Sequence, residues 1–213
     1  AQNMMETIVN SMEQYLKNMR QISDTANYNI IQALDISSPE FNQELSLLYD
    51  SNKDKIQSIA LYDMEGELLV AEPVTLQKEG VEVSRQSWFE NAKAKIENMH
   101  FSTPHMQDLF QDDAKRYHWV ISLSRAVELT SNGNSTLGVL LVDMNYSSIE
   151  QLFNKANTDN SSEYVYLMDS DGEIIYHPKQ KLIYTNLYEE NNLEAVHYDD
   201  GSHQEIFQGE KRL

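Results

Sequence analysis

Arg85, Trp88 and Phe89 stand together at the start of one apolar-periodic stretch. They precede the segment Phe101-Ser102-Thr103-Pro104-His105-Met106-Gln107 and two apolar runs that carry Trp119 and Asp143. Asp143 closes the run Gly138-Val139-Leu140-Leu141-Val142-Asp143. A carboxylate at the end of so apolar a strand must be solvated, paired or holding a ligand. Aromatic side chains beside an aimed carboxylate can wall a small-molecule pocket. The same aromatics can equally be core anchors, with Asp143 capping the helix that follows. The residues alone leave both readings open.

Other chemistry has less to build on. Asp169-Ser170-Asp171-Gly172 has the acids of a calcium loop. An EF-hand, however, needs Gly at position 6 and an acid at 12. Here Gly is fourth and apolar strands flank both sides, so a hairpin turn is the expectation. The 6 histidines (100, 105, 118, 177, 197 and 203) show no metal-ligand spacing. With 7 glycines and no glycine-rich loop or nucleophile elbow, the chain offers no cradle for a nucleotide and no activated serine. No metal or cofactor is expected. Asp143 is the one carboxylate to test for a hydrolase, which would need a cleft with perturbed acids.

Charge narrows the partners. The 213 residues carry 34 acids against 16 bases, a formal net charge of −18. Such a field repels nucleic acid and anionic membranes. There is no cysteine, so a disulfide framework or thiolate zinc site is excluded. No run approaches the roughly 18 apolar residues of a membrane span. The opening is polar and unlike a signal peptide. Gly209-Glu210-Lys211-Arg212-Leu213 reads as a strand beginning, which suggests an excised piece of something longer.

The elements that must position these residues repeat. Leu61-Tyr62-Asp63-Met64-Glu65-Gly66-Glu67-Leu68-Leu69 returns as Leu167-Met168-Asp169-Ser170-Asp171-Gly172-Glu173-Ile174-Ile175, with Asp, Gly and Glu at one common offset of 106 residues. Each copy reads as a hairpin whose Gly supplies positive φ and whose Asp bonds turn amides. Two copies half a chain apart imply tandem α+β modules. From Met4 to Ile36 there is no Gly or Pro. Met5, Ile8, Met12, Tyr15, Met19, Ile22, Ala26, Ile30 and Ala33 form a near-heptad seam that slips at its end. That predicts one helix of about 50 Å, long enough to run beside both modules. Its stripe could pack on the domains and, in part, on a second copy.

Ser38-Pro39 starts a short helix with Phe41, Leu45 and Leu48 on one face. The first hairpin follows from Gln57 to Ala71, then a helix over 86–97. Strands follow over 118–127 and 136–144, joined by a turn-rich connection over 130–135. Ser147-Ser148 opens a helix through Phe153. The polar stretch over 157–162 reads as the linker between modules. The expected domains are a long helix over 1–36, a first module over 37–157 and a second over 158–213.

These motifs resemble the extracytoplasmic double-Cache sensor domain, dCache_1 type, of bacterial transmembrane receptors, and most closely those of sensor histidine kinases. The likeness spans nearly the whole chain. It rests on the long helix, Arg-x-x-Trp-Phe at 85–89, Phe-Ser-x-Pro at 101–104, Gly-Val-Leu-Leu-Val-Asp at 138–143, and Tyr-Leu-Met-Asp-Ser-Asp-Gly-Glu-Ile-Ile-Tyr-His-Pro at 166–178.

The resemblance implies an α+β fold with one long helix backing two PAS-like antiparallel-sheet modules, the second stopping before its sheet closes. It implies a polar metabolite bound in the membrane-distal first module. Trp88 and Phe89 would form an aromatic wall and Asp143 would face the ligand, with Arg85, His105, Gln107 and Trp119 around it. Family members that bind amino acids carry Arg two residues before the Trp, where this chain has Gln86, and often Tyr and Asp where it has His105 and Gln107. Losing a carboxylate clamp and an ammonium-binding acid leaves sugars, polyols, polyamines and other metabolites open. The implied parent is a homodimeric receptor kinase whose catalysis lies outside this chain. A chemoreceptor, a diguanylate cyclase, or a sensor that docks a solute-binding protein are the alternatives.

Overall fold

The structure, a computed structural model, describes residues 2–155, 157, 164–199 and 204–212. Backbone contacts divide the chain into two compact units, Ala1–Ile149 and Glu150–Leu213. Residues 158–162, which hold most of the expected linker, lie outside the described residues, as does His203.

The first unit begins with α1 (Gln2–Asp24), which runs directly into a π-helical stretch, Thr25–Ile31. The wider turn accounts for the slip in the seam. Each π turn takes up one extra residue, so Ile30 and Ile31 are both buried while Ala33, the next residue of the expected stripe, is exposed. Helix α2 (Pro39–Asn52) buries Phe41 and Leu45. Ser38 precedes its first turn but does not cap it; the hydroxyl donates to the Asp35 carbonyl at 2.7 Å instead.

One six-stranded antiparallel sheet follows, in the order β2 (Leu68–Glu72), β1 (Ile56–Asp63), β6 (Asn134–Asn145), β5 (Trp119–Ser131), β3 (His100–Phe101), with β4 (His105–Met106) also paired to β5. The strands β5 and β6 run longer than their apolar cores and meet at a two-residue turn, Asn132-Gly133, both at positive φ. Strand alternation gives the sheet two apolar faces. One receives α1, its π-helical end and α2. Arg125 fastens that face, donating to Asp24 Oδ1 at 2.7 Å and stacking over Tyr28. The other face receives α3 (Ser87–Ala94). It holds a cluster in which Ala60, Tyr62, Val139 and Leu141 of the sheet meet Trp88, Phe89 and Ala92 of the helix.

Helix α4 (Ser147–Asn154) spans the division between the units. The second unit pairs β7 (Leu167–Met168) with β8 (Ile174–Tyr176), adds α5 (Gln180–Tyr184) and α6 (Asn192–Ala195), and pairs β9 (Glu205–Phe207) with β10 (Glu210–Arg212). Phe153 stacks on Tyr176 at 4.2 Å. His177 is buried, its Nε2–H donating to Glu190 Oε2 at 2.9 Å.

The sequence repeat is a repeat of hydrogen bonds. Asp63 Oδ1 accepts the amides of Glu65 and Glu67 at 3.0 and 2.9 Å, and Asp169 Oδ1 accepts those of Asp171 and Glu173 at 2.8 and 2.9 Å. Gly66 and Gly172 lie at φ 92° and 83°. With its oxygen committed to backbone amides and Gly at the fourth position, the Asp169 loop is a hairpin turn.

Candidate functional site

The register of three strands assembles the site. On the α3 face, Asp143 of β6 lies directly between Ser58 of β1 and Ser122 of β5. The next rows along that face are Ala60–Leu141–Ser124 and Tyr62–Val139–Ala126. The polar row therefore ends a face that is apolar but for Ser124, whose hydroxyl donates to the Trp88 carbonyl at 2.9 Å. Asp143 is 1% exposed. Ser122 Oγ donates to its Oδ1 at 2.5 Å, within the range of charge-assisted O–H···O bonds. Asp143 thus bonds a neighbouring strand rather than capping α4.

His105 extends the row. It stands opposite Val120 on β4, which places its ring on the face of Ser122. Its Nε2 is 3.3 Å from Ser122 Oγ and its Nδ1 is 2.8 Å from the Thr103 carbonyl. Ser102 Oγ braces the corner, accepting the Ser122 amide at 2.9 Å.

Two further hydroxyls border the acid. Ser58 Oγ and Tyr62 Oη are buried and have no hydrogen-bond partner. Ser58 is turned toward Asp143 and favours its charge without making a full hydrogen bond. A buried hydroxyl left unpaired costs about 1–3 kcal/mol. Burial pushes Asp143 up to about 6, against the favourable effects of Ser122, His105 and Ser58, and the nearby Asp108 pushes the same way. Burial, with the charges of Asp143 and Asp108, likewise raises the Tyr62 phenol.

Beside this row opens a groove of about 810 Å³, with Gln57, Ser58, Gln107 and Phe110 among its lining residues. Its walls, the segments 73–78 and 107–118, are tied by backbone bonds from Lys78 to Leu109 and from Gln111 to Leu76, each 2.8 Å.

Of the residues singled out in the sequence, the fold joins some and separates others. His105 meets Asp143 through Ser122, and Gln107 shares the groove with Ser58. Trp88 is 7% exposed and lies 5.4 Å from the Tyr62 ring, while Phe89 is fully buried beside it. Both are core anchors on the face that carries Asp143. Arg85 is exposed and paired to Glu82 at 2.7 Å. Trp119 alternates onto the opposite face, with its ring 6.2 Å from Tyr146. Sequence reasoning missed Ser58, Tyr62, Ser102, Ser122 and Asp108. The available signal was a serine interrupting an apolar run, Ser58 in β1 and Ser122 in β5, the latter shared with Ser124 two residues on.

Comparison with known proteins gives the fold a context. The family model dCache_1, described as a Cache domain, matches residues 1–213. No curated protein matches the chain. Among solved structures, the ligand-binding domain of the Pseudomonas aeruginosa PAO1 amino acid chemoreceptor PctB, in complex with L-Gln, is similar at TM-score 0.65 and 16% identity, covering 99% of this chain and 79% of that one. The domain of PctC from the same organism, in complex with GABA, is similar at TM-score 0.60 and 18% identity, over 83% of this chain and 74% of that one. The domain of the Campylobacter jejuni chemoreceptor Tlp3, with 4-methylisoleucine, gives 0.58 and 13%, over 96% and 81%. At these identities the likeness is one of fold.

Proposed function

The chain belongs to the Cache domain family dCache_1, and from that premise we propose that it is the extracytoplasmic sensor domain of a bacterial transmembrane receptor, binding a small polar solute in its first unit. The observation that carries this reading is the row at Asp143. A buried carboxylate stands in one row with the unpartnered buried hydroxyl of Ser58, which lines a groove, and the unpartnered Tyr62 Oη is near enough to feel the Asp143 charge. Buried polar groups without partners are what a ligand or ordered water satisfies.

The solute sits against Asp143, Ser58 and Tyr62, with His105 and Gln107 at the margin and Trp88 and Phe89 supporting the floor. Arg85, exposed and paired to Glu82, and Trp119, on the opposite face of the sheet, lie outside this site. The first module, 37–157, is the membrane-distal one and 158–213 the proximal one. No helix among the described residues is long and apolar enough to cross a membrane, so the membrane-crossing segments belong to other parts of the receptor. In the receptor the domain works as a homodimer. Binding shifts its conformational population by the difference in affinity between two states.

The output is a histidine kinase or a chemoreceptor signalling domain, with a diguanylate cyclase as the further alternative. The three neighbours named above are chemoreceptor domains, which supports the second option at least as well as the first. Their ligands are amino acids or close relatives, so zwitterions belong in any screen beside sugars, polyols and polyamines. A second reading takes support from Trp88 and Phe89, which fill the core themselves: the domain docks a solute-binding protein and binds no solute directly.

A thermal-shift screen separates the two. A ligand at about 100 times its Kd adds about 2.7 kcal/mol, which moves the midpoint by several degrees. A hit that disappears in Asp143→Ala, with the variant still folded, is the expected result. Silence across the panel from a cooperatively melting protein favours docking. A hit undiminished in Asp143→Ala removes the site.

A further inference from the structure

His177 of the second unit is buried in a setting that fixes where its hydrogen lies. The Lys179 amide donates to its Nδ1 at 2.9 Å. A backbone N–H can only donate, so Nδ1 is bare and the ring is the neutral Nε2–H tautomer. That Nε2–H meets Glu190 Oε2 at 2.9 Å, and the two side chains are 1% and 2% exposed. Glu190 Oε2 also accepts the Tyr164 hydroxyl at 2.5 Å, and Oε1 accepts the Asn191 amide at 3.2 Å.

Two effects therefore pull on His177 in opposite directions. A carboxylate at hydrogen-bond distance favours the imidazolium. The amide at Nδ1 favours the neutral ring, because a second proton has only Nδ1 to occupy and would set two hydrogens face to face. The ring cannot take that proton and keep its bond to Lys179.

We propose that His177 is a proton-operated latch on helix α5: the neutral ring holds the turn 177–180 closed, and protonation at Nδ1 opens it. One proton passes from solvent to Nδ1 while Nε2–H stays on Glu190. The buried pair becomes an imidazolium and a carboxylate, and the Lys179 amide loses its acceptor. The second unit thereby gains an input of its own, which does not depend on any solute beside Asp143.

What the latch holds is the start of α5. Lys179 precedes its first turn, and the Lys179 carbonyl accepts the amides of Leu182 and Ile183 at 3.0 and 3.1 Å. The Lys179 ammonium lies 4.4 Å from the Tyr188 ring, which is itself 5.3 Å from the imidazole. A positive ring repels that ammonium, so the charge and the lost bond act on the same residue. Gln180, next in the chain, is buried with its Oε1 unpartnered, so opening the turn also lets an orphan acceptor reach water. His177 is faced by Tyr164 and Tyr166 from the segment before β7, with ring centroids 5.2 and 5.5 Å away. Tyr188 and Glu190 face it from the segment between α5 and α6. Burial and then the bond to Glu190 push the Tyr164 phenol up, which keeps it a donor to the carboxylate.

The test is 15N and 1H NMR on the whole chain between about pH 8 and about pH 5, the range in which imidazole ordinarily changes charge. It follows the His177 ring nitrogens and the amides of Lys179, Leu182 and Ile183. The expected result is an Nε2–H ring that gains a hydrogen on Nδ1 as pH falls, with the Lys179 amide losing its hydrogen-bonded shift over the same course. The open population, read from hydrogen exchange at Leu182 and Ile183 after correction for the intrinsic rate, rises about tenfold per pH unit and levels off once the ring is fully protonated. Glu190→Gln, which removes the anion, moves the ring and amide courses together to lower pH. A ring that takes up its proton with the Lys179 amide unmoved overturns the latch. So does a ring that carries Nδ1–H at about pH 8, or one that takes up no proton by about pH 5; these arms need no variant to fold. Ring and amide courses that part in a folded Glu190→Gln overturn the coupling.

Discussion

Asp143 is held where water scarcely reaches it, with one full hydrogen bond and a second carboxylate, Asp108, acting on it. The consequence for stability has the opposite sign from that of most acids. Its folded value of about 6 lies above its unfolded value near 3.8. The folded state therefore binds the proton more tightly, and the stability this gives is full below about pH 4 and lost as pH rises through about 6. The lost amount is of the order of 3 kcal/mol, at about 1.4 kcal/mol per pKa unit. Asp143→Asn, which cannot ionise, should melt several degrees above wild type at pH 8, with the gap closing toward pH 4. A gap independent of pH would mean the carboxyl is already neutral or fully solvated. Trp88→Ala should cost about 3–5 kcal/mol, because the ring is packed on Tyr62 and Phe89. A chemical-denaturation midpoint equal to the parent's would contradict its place in the core. Asp143 was legible because a charge closing an apolar run needs an explanation. Ser58 and Ser122 were not, because their significance lies in register, and strand pairing is written across residues 85 and 21 positions apart in the pairs Ser58–Asp143 and Ser122–Asp143.

Elements hold this row in place through a few backbone-directed contacts. Asp35, just beyond the π-helical stretch, accepts the amides of Asn132 and Gly133 at 3.1 and 2.8 Å and so grips the tip of the β5–β6 hairpin. It also accepts the Ser37 amide and hydroxyl, and these bonds hold its carboxyl well below the usual range. A lowered folded value gives stability that is present above the unfolded value near 3.8 and is lost as pH falls toward the folded one. Asp35→Ala should therefore lower the melting temperature at pH 7, by an amount that shrinks once pH drops below about 4. Gly138 makes the opposite kind of demand. A Cβ there would lie 2.6 Å from the Tyr62 carbonyl and 2.6 Å from Leu129 Cδ2. The carbonyl is backbone in the β1–β6 ladder and cannot step aside, so Gly138→Ala should cost about 1–3 kcal/mol or more. A neutral result by thermal melting would show that β1 can move away from β6. The long helix, the two hairpins, α2, α3 and α4 could all be read from periodicity and turn chemistry. The π turn appeared only as a slip in the seam, since a period that lengthens by one residue resembles a broken pattern until the next buried pair, Ile30 and Ile31, is seen.

At the scale of the molecule, the same Asp-Gly hairpin occurs once in each unit, yet the units surround it differently. In the first unit the hairpin belongs to a six-stranded sheet with a polar row at one end. In the second, β7 and β8 form a two-stranded pair. The buried polar row is thus found where the sheet is wide enough to align three strands. The charge works against both units. A formal charge of −18 means that compaction brings acids together, and the ion pairs of Arg85, Arg116 and Arg125 each neutralise a carboxylate within a few residues or at one point on the sheet. The pairs of Arg85 and Arg116, whose guanidinium groups are exposed, contribute about 0–1 kcal/mol each, too little to offset repulsion summed over the surface. Screening should then favour folding, because the Debye length falls to about 8 Å at physiological ionic strength. Sodium chloride added from low concentration to about 0.15 M should raise the melting temperature at pH 8 and raise it less at pH 5, where part of the negative charge is titrated. A melting temperature that falls with salt would mean that a few specific ion pairs, and not the net field, govern stability.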